Sequence, residues 1–200
     1  MSLSPPAPRQ RLHRRIIDCE GYDREDGLWD IEGRLTDTKD YGFENEWRGW
    51  MEPGTPLHDM LVRLTLDDQM TITAVEVSMQ GTPFSICSNI EPDFQKLVGV
   101  KIAPGFTLKL NSLVGGIQGC THVVELIGRM ATVAYQTIPA GKQRRESPEA
   151  ARNASKGPPS DGKSRPFQLN GCHAWASNGP LVKKLLPDYY DGPDNADPSN

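Results

Sequence analysis

The chain has 200 residues, with 26 acidic and 22 basic side chains and a net charge of −4. That length suits one ordinary domain with appendages, on a prior of roughly 100–200 residues per domain. No apolar run approaches the ~18–20 residues that cross a bilayer. The N-terminus from Met1 to Leu12 holds prolines and arginines without an apolar signal core, so a membrane protein and a cleaved secretory signal are both disfavoured.

Residues 1–12 are expected to form a flexible tail, followed by a core domain over residues 13–138. In that core, Trp29, Ile31 and Leu35 alternate with Asp30, Glu32, Arg34 and Thr36, the period of a strand with one wet face. Asp26-Gly27 is a hairpin-type turn pair, which makes Ile16 to Tyr22 the partner strand. After the proline-rich loop from Glu52 to Pro56, Met60, Val62, Leu64 and Leu66 alternate with Leu61, Arg63 and Thr65. Asp67-Asp68-Gln69 then turns the chain into a β-branched stretch from Met70 to Met79, a second hairpin.

The period changes in the second half. Glu91 to Val98 reads as a short helix with Pro92 in its first turn and Gly99 just past its end. Val100 to Leu113 is ambiguous. From Thr121 to Thr137 the apolar residues Val123, Leu126, Ile127, Met130, Val133 and Ala134 share one helical face, and Pro139 is expected to stop that helix. Sheet first and helices second predicts an α+β domain with an antiparallel β-sheet.

Charge divides the chain. Residues 13–138 hold 11 Lys/Arg against 19 Asp/Glu, a local net of −8, and the flanks hold 11 basic and 7 acidic residues, net +4. Residues 139–165 are almost without large apolar side chains and are expected to be a flexible basic linker. Residues 166–190 are apolar enough to return onto the core, with Trp175 as anchor, and residues 191–200 form a polar tail. The basic run lacks interleaved aromatics and the core is acidic, which argues against nucleic acid as a ligand.

Four cysteines and four histidines carry the chemistry-bearing pattern. In a cytoplasmic chain, the expected compartment here, the thiols stay reduced. His13 and Cys19 read as structural. His58-Asp59 marks a loop-to-strand junction, where an imidazole can ligate a metal and a carboxylate can orient it, although the pair also fits an ordinary strand start. Cys87 precedes the short helix, where exposed N–H groups favour a thiolate; a buried structural cysteine is the other reading. Three glycines, Gly115, Gly116 and Gly119, precede Cys120 at the start of the long helix, and His122, Glu125 and Arg129 follow along one polar stripe, which also fits a solvated face.

Together, His58, Cys87, Cys120 and His122 form a candidate set of N and S donors for zinc or iron, with Asp59 and Glu125 as supporting groups. The same residues allow a metal-free centre: Cys120 as nucleophile, His122 or His58 as base, Glu125 or Asp59 as orienting or acid–base carboxylate. Either centre would act on a small molecule. A third reading is a non-catalytic interaction module using Trp47, Trp50 and the basic linker. Cys172-His173 lies beyond the linker, where Cys172 is a further potential donor.

The strings Asp26-Gly27-Leu28-Trp29-Asp30-Ile31-Glu32-Gly33, Leu57-His58-Asp59-Met60, Gly119-Cys120-Thr121-His122 and Cys172-His173-Ala174 resemble an uncharacterised bacterial family, domain of unknown function 2889, over roughly His13 to Leu186. That resemblance implies no activity. More distantly, the order of elements around His58, Cys87 and Cys120 is similar to the NifU-like iron–sulfur scaffold fold, which implies a metallocluster accessory role. The first position there is a cysteine and here is His58, and Cys120 and His122 stand in reversed order, one residue apart. Zinc suits such an altered donor set better than a cluster.

Overall fold

Strict alternation of buried and wetter residues builds the centre of the fold. Trp29, Ile31, Gly33, Leu35 and Asp37 all point to one face of strand β2 (Trp29–Lys39), and the intervening residues point to the other. The computed structural model describes residues 3–146, 166 and 168–193. The chain divides into two compact units, with the boundary between Lys142 and Gln143.

In the first unit, β2 pairs antiparallel with β1 (His13–Asp23) and with β5 (Pro56–Leu66), and β5 pairs with β6 (Ile72–Gly81). The result is a four-stranded sheet of order β1-β2-β5-β6. A short ribbon of β3 (Phe43–Asn45) and β4 (Gly49–Met51) interrupts the β2–β5 connection. Both expected hairpins are present, and Gly27 adopts φ +89° in the first, a left-handed conformation that glycine adopts without steric cost. The fold is α+β, as the order of elements predicts.

Helices cover the inner face. Residues Cys87–Leu97 form a 3-10 segment, starting earlier than the helix expected from Glu91 and enclosing Pro92. Its buried residues, Phe94 and Leu97, stand three apart, so the three-residue repeat places both against the core. The ambiguous stretch resolves into helix α1 (Phe106–Val114), because Phe106, Leu110 and Val114 bury at a four-residue spacing.

Helix α2 (Thr121–Glu146) contains Pro139 and continues past it. A proline inside a helix removes one backbone hydrogen bond and costs ~3 kcal/mol in isolation. Contacts beyond it offset that cost: Gly141 lies against the Trp29 ring, and Lys142 Nζ reaches to 3.9 Å from Asp68 Oδ2. The helix lies along the sheet. Its Leu126 and Met130 pack on Gly33, Thr137 on Gly21, and Gly141 on Trp29. Advancing from His122 to Gly141 spans ~28 Å of helix, and from Asp37 to Trp29 about 26 Å of strand, so helix and strand stay in step. The N-terminus of α2 is thereby held over the Asp37 end of the sheet.

The second unit, within its described residues, has a 3-10 turn at His173–Trp175, helix α3 (Pro180–Leu185) with Pro180 in its first turn, and a further turn at Pro187–Tyr189. Val182 and Leu186 are buried, and Lys183 Nζ lies 5.1 Å from the Tyr190 ring centroid. Residues 147–165, most of the expected linker, lie outside the described residues, as does most of the expected polar tail.

Candidate metal centre

Strand register assembles the centre. Arg15 on β1 faces Asp37 on β2, and Asp37 faces His58 on β5, so the three form one row across the inner face. The register then slips: Asp37 pairs with His58 but Thr38 pairs with Pro56, leaving Leu57 as the extra residue of a bulge. A bulge breaks the alternation of faces, and both Leu57 and His58 line the same small cavity, of about 170 Å³. Helix α2 places His122 and Glu125 over this row.

Asp37 is the hub. It is only 2% exposed, yet its carboxylate is fully engaged. Arg15 grips it through two bonds, Nε to Oδ1 at 2.8 Å and Nη2 to Oδ2 at 2.7 Å. His13 Nε2 lies 2.8 Å from Oδ1, His58 Nδ1 3.0 Å from Oδ2, and His122 Nε2 3.6 Å from Oδ2. The remaining Arg15 nitrogen, Nη1, donates to Glu125 Oε2 at 2.6 Å and so joins α2 to the sheet. Burial pushes the Asp37 carboxyl up, but the Arg15 and His13 hydrogen bonds outweigh it and hold the group well below the usual carboxylate range.

The two imidazoles respond in the opposite sense. Burial, reinforced by the neighbouring His122 and opposed by Asp37, lowers His58 to about 4. Burial, followed by the nearby Arg15 charge, also lowers His122. At neutral pH the centre therefore presents one ionised carboxylate and two neutral imidazoles, the protonation states in which all three bind metal. One ligand atom from each of Asp37, His58 and His122 lies within 4.8 Å of the others. Among the described residues, this is the group of three or more His, Cys, Asp or Glu side chains with that convergence.

The residues singled out from sequence are thus distributed unequally. His58 and His122 meet. Cys120 stands beside them, its Sγ 3.8 Å from His122 Nδ1, and also packs against the hydrophobic core. Glu125 touches Arg15 rather than either imidazole, and its Oε1 lies 3.9 Å from Arg129. Cys87, in the 3-10 segment, packs on the core and does not join the converging group. Asp59, one residue after His58, points to the opposite face of the sheet, where Arg34 binds it through bonds of 2.8 Å each. Cys172 is exposed in the second unit. Trp47 and Trp50 are exposed at 53% and 60%.

Asp37, Arg15 and His13 escape a search for donor motifs. Asp37 is nonetheless readable: it is the next inward position after Trp29, Ile31, Gly33 and Leu35, and a carboxylate on a buried face requires partners. Arg15 and His13 follow likewise from the inward positions of Ile17 and Cys19 on β1.

A family model described as "Protein of unknown function (DUF2889)" matches residues 13–136. No curated protein and no solved structure matches the chain. The likeness to the NifU-like scaffold therefore rests on the order of sequence elements alone.

Proposed function

The chain belongs to the DUF2889 family, and from that premise we propose that it is a metal-dependent protein acting on a small molecule, with one divalent transition-metal ion held by Asp37, His58 and His122. The convergence of these donors within 4.8 Å, from β2, β5 and α2, carries the reading. Two imidazoles and one carboxylate suit a zinc site with an open position or a mononuclear iron(II) site, whereas cluster scaffolds rely on thiolates. Such an ion acts as a Lewis acid that polarises a carbonyl or lowers the pKa of a bound water. Arg15 and His13 fix the carboxylate in place, the outer-sphere role that tunes metal affinity.

Elemental analysis and cobalt titration of the purified protein test this. Wild type is expected to bind one ion per chain, and His58→Ala and His122→Ala each to weaken binding by more than about 100-fold, beyond the 10–100-fold typical of outer-shell changes. Wild-type affinity in the double variant would overturn the proposal.

One observation favours a second reading. Cys120 Sγ, His122 and Asp37 Oδ2 form a chain, with 3.8 Å from sulfur to Nδ1 and 3.6 Å from Nε2 to the carboxylate. This is the order of a thiol nucleophile, its base and an orienting acid. Under that reading Cys120 is the fastest-alkylated thiol and loses that rate in His122→Ala, while Cys120→Ser leaves metal content unchanged. Uniform slow labelling of all cysteines counts against it.

A further inference from the structure

The walls of the cavity identify what it accepts. His13, Arg15, Asp37, His58 and His122 belong to the network already described; Thr38, Lys39 and Leu57 complete the lining. Arg15 has no charge to spare, since its nitrogens serve Asp37 and Glu125. Lys39 differs. Its Nζ donates to the Tyr41 hydroxyl at 3.1 Å and lies 5.2 Å and 5.6 Å from the Tyr41 and Phe43 ring centroids. Among the described residues no carboxylate stands within ion-pair distance of it. Lys39 therefore lines the cavity as a residue whose ammonium is held by a hydroxyl and two rings beside it, with no carboxylate partner among the described residues. Opposite in character, Leu57 offers an apolar surface, and only the bulge turns it inward beside His58.

We propose that the substrate is a small carboxylic acid with a compact apolar body, its carboxylate paired with Lys39 and its body against Leu57. Size sets the limit. A cavity of about 170 Å³ is close to the ~150 Å³ apolar cavity that admits benzene, so it has room for an acid with a body of about that size. The ammonium pairs with a carboxylate as a point charge, without the planar fork that selects a guanidinium for bidentate recognition. This inference rests on the metal reading above, because the ion supplies the reacting centre beside the acid.

The test uses full-length protein loaded with zinc, with loading measured first by elemental analysis. Isovalerate is titrated by calorimetry against isovaleramide, a neutral compound of the same shape. Isovalerate is expected to bind at least 10-fold more tightly than the amide. Lys39→Met should abolish that preference without changing zinc content, Lys39→Arg should retain most of it, and Leu57→Ser should weaken both compounds alike. Loaded wild type that binds the acid and amide equally, or a preference that survives Lys39→Met, overturns the substrate class and leaves the metal reading standing. Wild type that takes up no zinc or other divalent ion overturns both.

Discussion

The imidazoles of His58 and His122 stack with ring centroids 3.7 Å apart and 28° between their planes. Two imidazolium ions in that arrangement would repel strongly; burial keeps both rings neutral, helped at His58 by the neighbouring His122 and at His122 by the Arg15 charge. That neutrality makes the centre a stability liability in acid, with consequences that can be measured.

The first concerns pH. His58 titrates near 4 in the folded chain and near 6.5 when unfolded. Above pH 6.5 both states are neutral and no penalty exists. As pH falls from 6.5 toward 4 the unfolded chain takes up a proton that the folded chain refuses, so stability declines. His122 acts in the same direction. Asp37, depressed, keeps its stabilising contribution through most of this window and loses it progressively as pH falls below the ordinary carboxyl value of about 4. Urea unfolding of chelator-treated protein should show a loss on the order of 2 kcal/mol between pH 6.5 and 5, and a smaller loss in His58→Gln. A flat profile in the wild type would contradict the buried, neutral pair.

The adjacent carboxylates Asp59 and Asp37 should behave oppositely. Asp59 is buried but binds Arg34 on the outer face, where Arg34 is 55% exposed, so Asp59→Asn is expected to leave metal content intact and to cost about 1 kcal/mol of stability. Asp37→Asn should abolish metal binding and destabilise the chain by about 2–4 kcal/mol, because it deprives Arg15 and His13 of a common buried partner. Metal titration and urea unfolding of the two variants separate these outcomes.

Arg15 is a positioning residue that ties Asp37 to Glu125. Arg15→Met should lower metal affinity by about 10–100-fold, the usual cost of losing an outer-sphere partner. Arg15→Lys should recover little, since a lysine cannot reproduce the fork that grips both oxygens. Circular dichroism is expected to remain that of the wild type; a variant with unchanged metal affinity would remove the positioning role.

Close approach of α2 to the sheet depends on two glycines. A Cβ at Gly33 would meet Met130 Sδ at 2.8 Å and Leu126 Cδ1 at 2.9 Å, both at the ends of flexible side chains. A Cβ at Gly21 would meet the β-branched Thr137, whose own Cβ is 2.8 Å away and cannot swing aside. Overpacking costs about 1–3 kcal/mol, and Gly21→Ala should fall toward the upper end, Gly33→Ala toward the lower. Thr137→Ala combined with Gly21→Ala should restore most of the loss in thermal unfolding.

Much of the architecture was legible because period-2 alternation identifies a strand and its buried face locally. Trp29 to Leu35 and Met60 to Leu66 show it, and Asp26-Gly27 marks the turn between the first two strands. The helical period also exposes α2 from Val123 to Ala134. Its continuation past Pro139 was not legible, since the offsetting contacts of Gly141 and Lys142 come from residues distant in sequence. Nor was the grouping of donors: Asp59 is a sequence neighbour of His58 but faces away, while His122 is remote and stacks on it.

By itself the sequence determined the α+β order, the two hairpins and the imidazoles His58 and His122 as groups placed at element junctions, because these depend on local periodicity and turn chemistry. Only the tertiary structure decided that Asp37 completes the centre, that Arg15 and His13 hold it, and that Cys87 and Asp59 stand elsewhere. Those outcomes follow from strand register, a single bulge at Leu57 and the placement of α2 along β2. Each is set by packing between residues far apart in the chain, where one step of register moves a side chain from one face of the sheet to the other.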